Sequence, residues 1–115
     1  MNMTDFQRLE RILTTGRELL DILERRGITV GDVQDSTEVQ WMVTTPLYNI
    51  GEQVYCLTKE FKQRHCEIAW SNVSGLRHRL VHDYDGISWQ FIADVLFNDL
   101  PGFLLQVDDL LKTLR

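Results

Sequence analysis

The chain has 115 residues and a formal net charge of −5, with 43% hydrophobic and 25% charged residues. That length predicts one domain spanning residues 1–115 with a core of its own, and the composition excludes disordered and fibrous classes. No apolar run approaches the roughly 20 residues needed to cross a bilayer, and the polar start with Asp5 and Glu10 does not read as a secretory signal, so the expectation is a cytoplasmic protein that meets no membrane.

In chain order, Thr4-Asp5-Phe6-Gln7 reads as a capping box that opens a first helix. Its apolar positions Phe6, Leu9, Ile12 or Leu13, Leu20 and Leu23 recur at helical spacing, and Arg26-Gly27 should stop it. Residues 28–35 read as a loop, with Ile28 and Val30 tucked inward. A second helix should start at Ser36 or Thr37 and run to about Gln63, kinked before Pro46, because Val43, Leu47, Ile50, Val54, Leu57 and Phe61 keep one stripe through it. Gly51 inside this helix costs about 1 kcal/mol against Ala, which close approach of another helix would offset. A loop over residues 64–70 leads to a helix capped by Ser71 and ending at His82 to Asp85, before Gly86. Ser88 caps the next, carrying Trp89, Ile92, Val95 and Leu96; Pro101 begins a last one through Phe103, Leu104, Val107, Leu110 and Leu111. Every long segment has helical periodicity and none alternates like a strand. The expected fold is therefore all-α, an up-and-down bundle of four to five helices with the last broken at Pro101 and the Trp and Phe residues mostly in the core.

Cys56 and Cys66 fit a reducing compartment, and with His65 they match no zinc spacing, so they read as ordinary thiols and no metal is expected. Charge is unevenly spread. Between Lys59 and His82, five basic residues (Lys59, Lys62, Arg64, Arg77, Arg79) face two acids, a formal +3 that leaves −8 for the rest. Lys59, Lys62 and Arg64 have two open readings: a basic patch for a polyanion, or complements to a helix C-terminus.

Residues 71–84, Ser-Asn-Val-Ser-Gly-Leu-Arg-His-Arg-Leu-Val-His-Asp-Tyr, concentrate the chemistry. On a helix, Val73, Leu76, Leu80 and Val81 share a stripe, with His78, Arg79 and His82 on the other side. Arg77 breaks the pattern by starting from the apolar stripe, where a charge needs a partner or a purpose. His82 lies roughly 140° around and about 7.5 Å along the axis from Arg77, so the pair can converge on one phosphate at the rim. Glu52 admits two readings: a carboxylate that fixes Arg77 or His82, or a solvated surface glutamate.

Arg77-His78-Arg79-Leu80-Val81-His82-Asp83-Tyr84 resembles the Arg-x4-His-x-Tyr motif of HepT-like proteins in the HEPN superfamily. Leu47-Tyr48-Asn49-Ile50-Gly51-Glu52 is similar to that family's Leu-x-x-Ile-Gly-Glu segment, Glu67-Ile68-Ala69-Trp70 to its lead-in, and Asn98-Asp99-Leu100-Pro101 to its Asn-Asp-Leu-Pro turn. The likeness runs from about Thr4 to Leu114. It implies a metal-independent, cofactor-free endoribonuclease with Arg77 and His82 as the active pair, sharing a cleft between the copies of a two-fold homodimer. The chemistry fits those residue types. RNA supplies its own 2′-hydroxyl nucleophile, a histidine of ordinary pKa near 6.5 moves the proton, and an arginine binds two phosphate oxygens at once. The expected products are a 2′,3′-cyclic phosphate and a 5′-hydroxyl. His78 and Arg79 are candidates for RNA positioning or a second proton role.

The resemblance further implies the toxin half of a toxin–antitoxin pair, neutralised by an MntA-like nucleotidyltransferase that transfers AMP to Tyr84. From the residues alone Tyr84 reads equally as a packing tyrosine, and Arg77 with His82 as interface ion-pair formers. Two other functions therefore stay open: a non-catalytic module that binds and scaffolds a minimal nucleotidyltransferase, and a helical dimer used for assembly only.

Overall fold

The computed structural model describes residues 3–115. Among them there is no strand, and the all-α expectation holds. The elements are α1 (Asp5–Arg25), α2 (Val30–Asp35), α3 (Thr37–Cys56), α4 (Lys59–Arg64), α5 (Trp70–His82), a 3-10 turn (Tyr84–Gly86), α6 (Trp89–Asp94), a π-helical segment (Val95–Asp99) and α7 (Leu100–Leu114). Helix α3 packs between α1 and α5, α7 lies on α1, and α2 lies on α6.

Local signals set both ends of α1. Thr4 and Gln7 form the expected capping box, the Thr4 hydroxyl accepting from the Gln7 N–H and the Gln7 side chain accepting from the Thr4 N–H. At the other end Gly27, at φ 59°, ends the helix. The Ile28 N–H donates to the Leu23 carbonyl and the Gly27 N–H to that of Glu24, with Leu23 and Ile28 both buried; this is the Schellman arrangement.

Three segment assignments are corrected. Residues 28–35 are not all loop. Thr29 and Asp32 make a second capping box over α2, which buries Val33 while Val30 stays 41% exposed. The single helix expected from Ser36 to Gln63 is two. It does run through Pro46, but it ends at Cys56, and Thr58 caps α4 by accepting from the Phe61 N–H. Asp5 of α1 accepts from both the N–H and the hydroxyl of Thr58 at 2.9 and 2.6 Å, so a tertiary bond helps fix the break. Lys62 donates to the Val54 and Tyr55 carbonyls, giving it the role of complement to a helix C-terminus. Finally, the last long element is not broken at Pro101. It passes from α6 to α7 through the π-helical turn at residues 95–99, a wider turn that relieves the clash of a proline ring with the preceding carbonyls.

The core is one cluster. Leu9 and Ile12 of α1, Val43 and Leu47 of α3, Ile92 and Leu96 of the α6 region and Val107 and Leu111 of α7 have no exposed surface. Trp70, Phe61 and Phe103 are buried and their rings pack against one another. Trp41 departs from the expected core role of the aromatics, standing 67% exposed on α3.

Candidate active site

Helix α5 is pressed onto α3 at Gly51. A β-carbon built there would lie 3.0 Å from the Arg77 backbone nitrogen and 3.2 Å from the Val73 carbonyl oxygen. Absence of a side chain therefore lets the two backbones meet, and it brings Arg77 over the next turn of α3. There the Arg77 Nε donates to Glu52 Oε2 at 2.6 Å, and the guanidinium lies over the Tyr55 ring at 4.0 Å. The Cys56 thiol donates to the other Glu52 oxygen. The Arg77 hydrogen bond holds the Glu52 carboxyl below its ordinary pKa, opposed by desolvation and helped further by Arg77's charge and by Tyr48. In return the Glu52 bond pushes the Arg77 guanidinium further up. Both side chains are about one-third exposed, so the arginine is oriented yet open to a ligand.

The histidines occupy the other side of α5. His78 and His82 pack with ring centroids 4.9 Å apart and planes tilted by 40°, and His78 Nε2 lies 3.7 Å from Asp83 Oδ2. Both rings are exposed. Arg79 places its guanidinium over Phe91 at 4.3 Å. Tyr84, in the 3-10 turn, packs edge-on against Trp89 and is partly exposed.

The structure thus joins Glu52 to Arg77 and His78 to His82. Among the described residues no hydrogen bond or ring contact joins Arg77 to His82, which stand roughly 140° apart around α5. Val81 is also not part of the buried stripe. At 54% exposed it sits in the last turn, beyond the crossing with α3, and the stripe consists of Val73, Leu76 and Leu80. Ser71 does not cap α5, whose N-cap is Ala69; instead the Trp70 indole N–H donates to the His65 carbonyl and ties the start of the helix to the preceding loop.

Several participants were not singled out from sequence: Tyr55 beneath Arg77, Tyr48 and Cys56 beside Glu52, and Phe91 beneath Arg79. A signal for the first two existed. Trp41, Tyr48 and Tyr55 are seven residues apart on α3 and, with Glu52, form an aromatic stripe along the face that carries Arg77. Among the described residues no three His, Cys, Asp or Glu side chains stand together so as to hold a metal ion.

Known proteins resemble this chain over nearly its whole length. The family model described as ribonuclease HepT-like matches residues 7–110. A candidate RNase of Caldanaerobacter subterraneus subsp. tengcongensis is 30% identical over 105 residues, covering 90% of this chain and 91% of its own. A candidate RNase of Methanocaldococcus jannaschii is 28% identical with 84% and 87% covered, and a probable ribonuclease HepT of Thermococcus cleftensis is 27% identical with 83% and 88% covered. No solved structure matches significantly. With the match extending from the first turns of α1 to the last of α7, the chain belongs to the ribonuclease HepT-like family.

Proposed function

We propose that this protein is a metal-independent endoribonuclease whose active pair is Arg77 and His82. One observation carries the reading: a single 13-residue helix holds both an arginine oriented by a carboxylate and an exposed imidazole pair. In the reaction the substrate 2′-hydroxyl oxygen bonds to the adjacent phosphorus and the bond from phosphorus to the 5′-oxygen breaks. His82 exchanges the proton lost by the 2′-hydroxyl or gained by the 5′-oxygen, and His78 beside it is placed for the complementary transfer. Arg77 neutralises the extra charge of the phosphorane, which is where an electrostatic contact lowers the barrier most. The products are a 2′,3′-cyclic phosphate and a 5′-hydroxyl.

Each copy of α5 supplies a single oriented arginine and one imidazole pair, a sparse set that supports assembly as a two-fold homodimer in which each cleft draws on both copies. Tyr55, which lies under the Arg77 guanidinium, and Val81, one turn along α5, are both more than half exposed and supply apolar area for such a contact. The protein acts as the toxin of a toxin–antitoxin pair. Its antitoxin is an MntA-like nucleotidyltransferase that joins the Tyr84 phenolic oxygen to the α-phosphorus of ATP, releasing pyrophosphate and the phenolic proton. The adduct would bring negative charge and bulk next to the imidazole pair.

The test is expression of the wild type, Arg77→Ala and His82→Ala without any partner, reading growth and cleavage of total RNA in EDTA. Arrest and cleavage by the wild type alone, with cyclic-phosphate ends, is the expected result. Three equally harmless, equally folded proteins would sink the ribonuclease reading.

A further inference from the structure

A groove of about 870 Å³ runs between α5, the π-helical segment and α7, on the side of α5 away from Arg77. Its polar lining consists of three carboxamides, Asn72, Asn98 and Gln106, together with Ser71, Arg79 and Asp99. Gly75 and Gly102 leave the walls open, since a β-carbon at either would meet nothing within 4 Å. The Arg79 guanidinium lies over the Phe91 ring at 4.3 Å, so its outer face offers a positively charged platform. Gly75, Arg79 and His82 stand at i, i+4 and i+7 and share one face of α5, so His82 follows on that face within one turn of Arg79, the last α5 residue of the groove. A π-helical turn forms part of the wall, with Val95, Asn98 and Asp99 on it; such turns are frequent at functional sites.

We infer that this groove is a binding site for an unpaired base of single-stranded RNA, placed so that the adjoining phosphodiester lies over His78 and His82. Carboxamides pair with base edges through matched donors and acceptors, and bases stack on guanidinium planes as they do on aromatic rings. Asp99 accepts from exocyclic amino groups and repels phosphate, so it favours an orientation with the base inward and the backbone on the α5 side. The inference rests on the ribonuclease reading for its consequence, selection of the cleaved position, although base binding itself requires no cleavage.

The test uses the full chain and a short single-stranded RNA carrying 4-thiouridine for photo-crosslinking. The proteins are the wild type, His82→Ala, Gly102→Leu to fill the groove, and the double variant Asn98→Ala with Gln106→Ala. Crosslinks within residues 69–79 and 91–106 in wild type and His82→Ala are expected. Both groove variants should keep the wild-type circular dichroism, and neither should melt below the wild type, Gly102→Leu melting somewhat higher because leucine replaces a helical glycine in open space. They should bind RNA roughly tenfold or more weakly, and in cleavage raise KM with kcat nearly unchanged. Groove crosslinks in a wild type that cuts no RNA would uphold the groove and sink the ribonuclease reading alone. Wild-type affinity and cleavage positions in both folded groove variants would overturn the inference while leaving that reading intact. It is equally overturned if no RNA crosslinks to the groove, or if Gly102→Leu changes only the solution mass, which would mark a second copy as the occupant.

Discussion

Replacing Gly51 by Ala isolates the contact that brings Arg77 to Glu52. Taken alone, the change should stabilise α3, because alanine is favoured over glycine in a helix interior by about 1 kcal/mol. The new methyl, however, would meet the α5 backbone at 3.0 and 3.2 Å, and a backbone cannot rotate aside as a side-chain tip can. Overpacking of this kind costs about 1–3 kcal/mol, leaving a net loss of roughly 1 kcal/mol and a fall in melting midpoint of roughly 4–8 °C. Gly75→Ala on α5 is the internal control, since its methyl points into open space and should raise stability by about 0.5–1 kcal/mol. Thermal and urea unfolding of the three proteins measures both. If Gly51→Ala matches or exceeds Gly75→Ala, then α5 does not rest on Gly51 and the placement of Arg77 needs another explanation.

Glu52→Gln keeps the shape and removes the charge facing Arg77; cleavage should fall roughly tenfold, the scale of one charge-assisted hydrogen bond. Because the folded-state pKa of Glu52 is depressed, its stabilising contribution is present above the ordinary value of 4.5 and fades as pH falls through the lower folded value. Unfolding midpoints of wild type and Glu52→Gln should therefore differ at pH 7 and converge below pH 4.5, and a gap that widens on acidification would contradict the pairing. Thr58→Ala removes the α4 cap and the hydroxyl partner of Asp5; a loss of about 1 kcal/mol in denaturant is expected. Ile92→Ala empties a site with no exposed surface and should cost about 2–5 kcal/mol by the same measurement.

The helices were legible where a cap and an apolar stripe agree, as in α1, whose Thr4-Gln7 box and Gly27 stop both appear in the structure. Reading failed where two signals compete. Residues 28–35 read as a loop although Thr29 and Asp32 frame a helix start, and the stripe through Leu57 and Phe61 hid the cap at Thr58, part of whose anchorage comes from Asp5, 53 residues away. Pro101 suggested a break because sequence periodicity offers no sign of a π turn. In the candidate site, Glu52 stood out beside Gly51, but the choice between a solvated and a paired carboxylate depended on the crossing of α3 and α5. The stacking partners Tyr55 and Phe91 come from other elements, so nothing within residues 71–84 pointed to them.

The π-helical turn also bears on how relatives are aligned. It accommodates one residue more than an α-turn, so all of α7 is rotated by about 100° relative to a plain continuation of α6. A single deletion within residues 95–99 that left the wide turn in place would swing Phe103, Val107 and Leu111, now buried, away from the core. A relative that lacks one residue there and still folds must lack the turn as well. Such a gap would separate two groups of sequences, with and without the turn, whose last helices present the same face to the core.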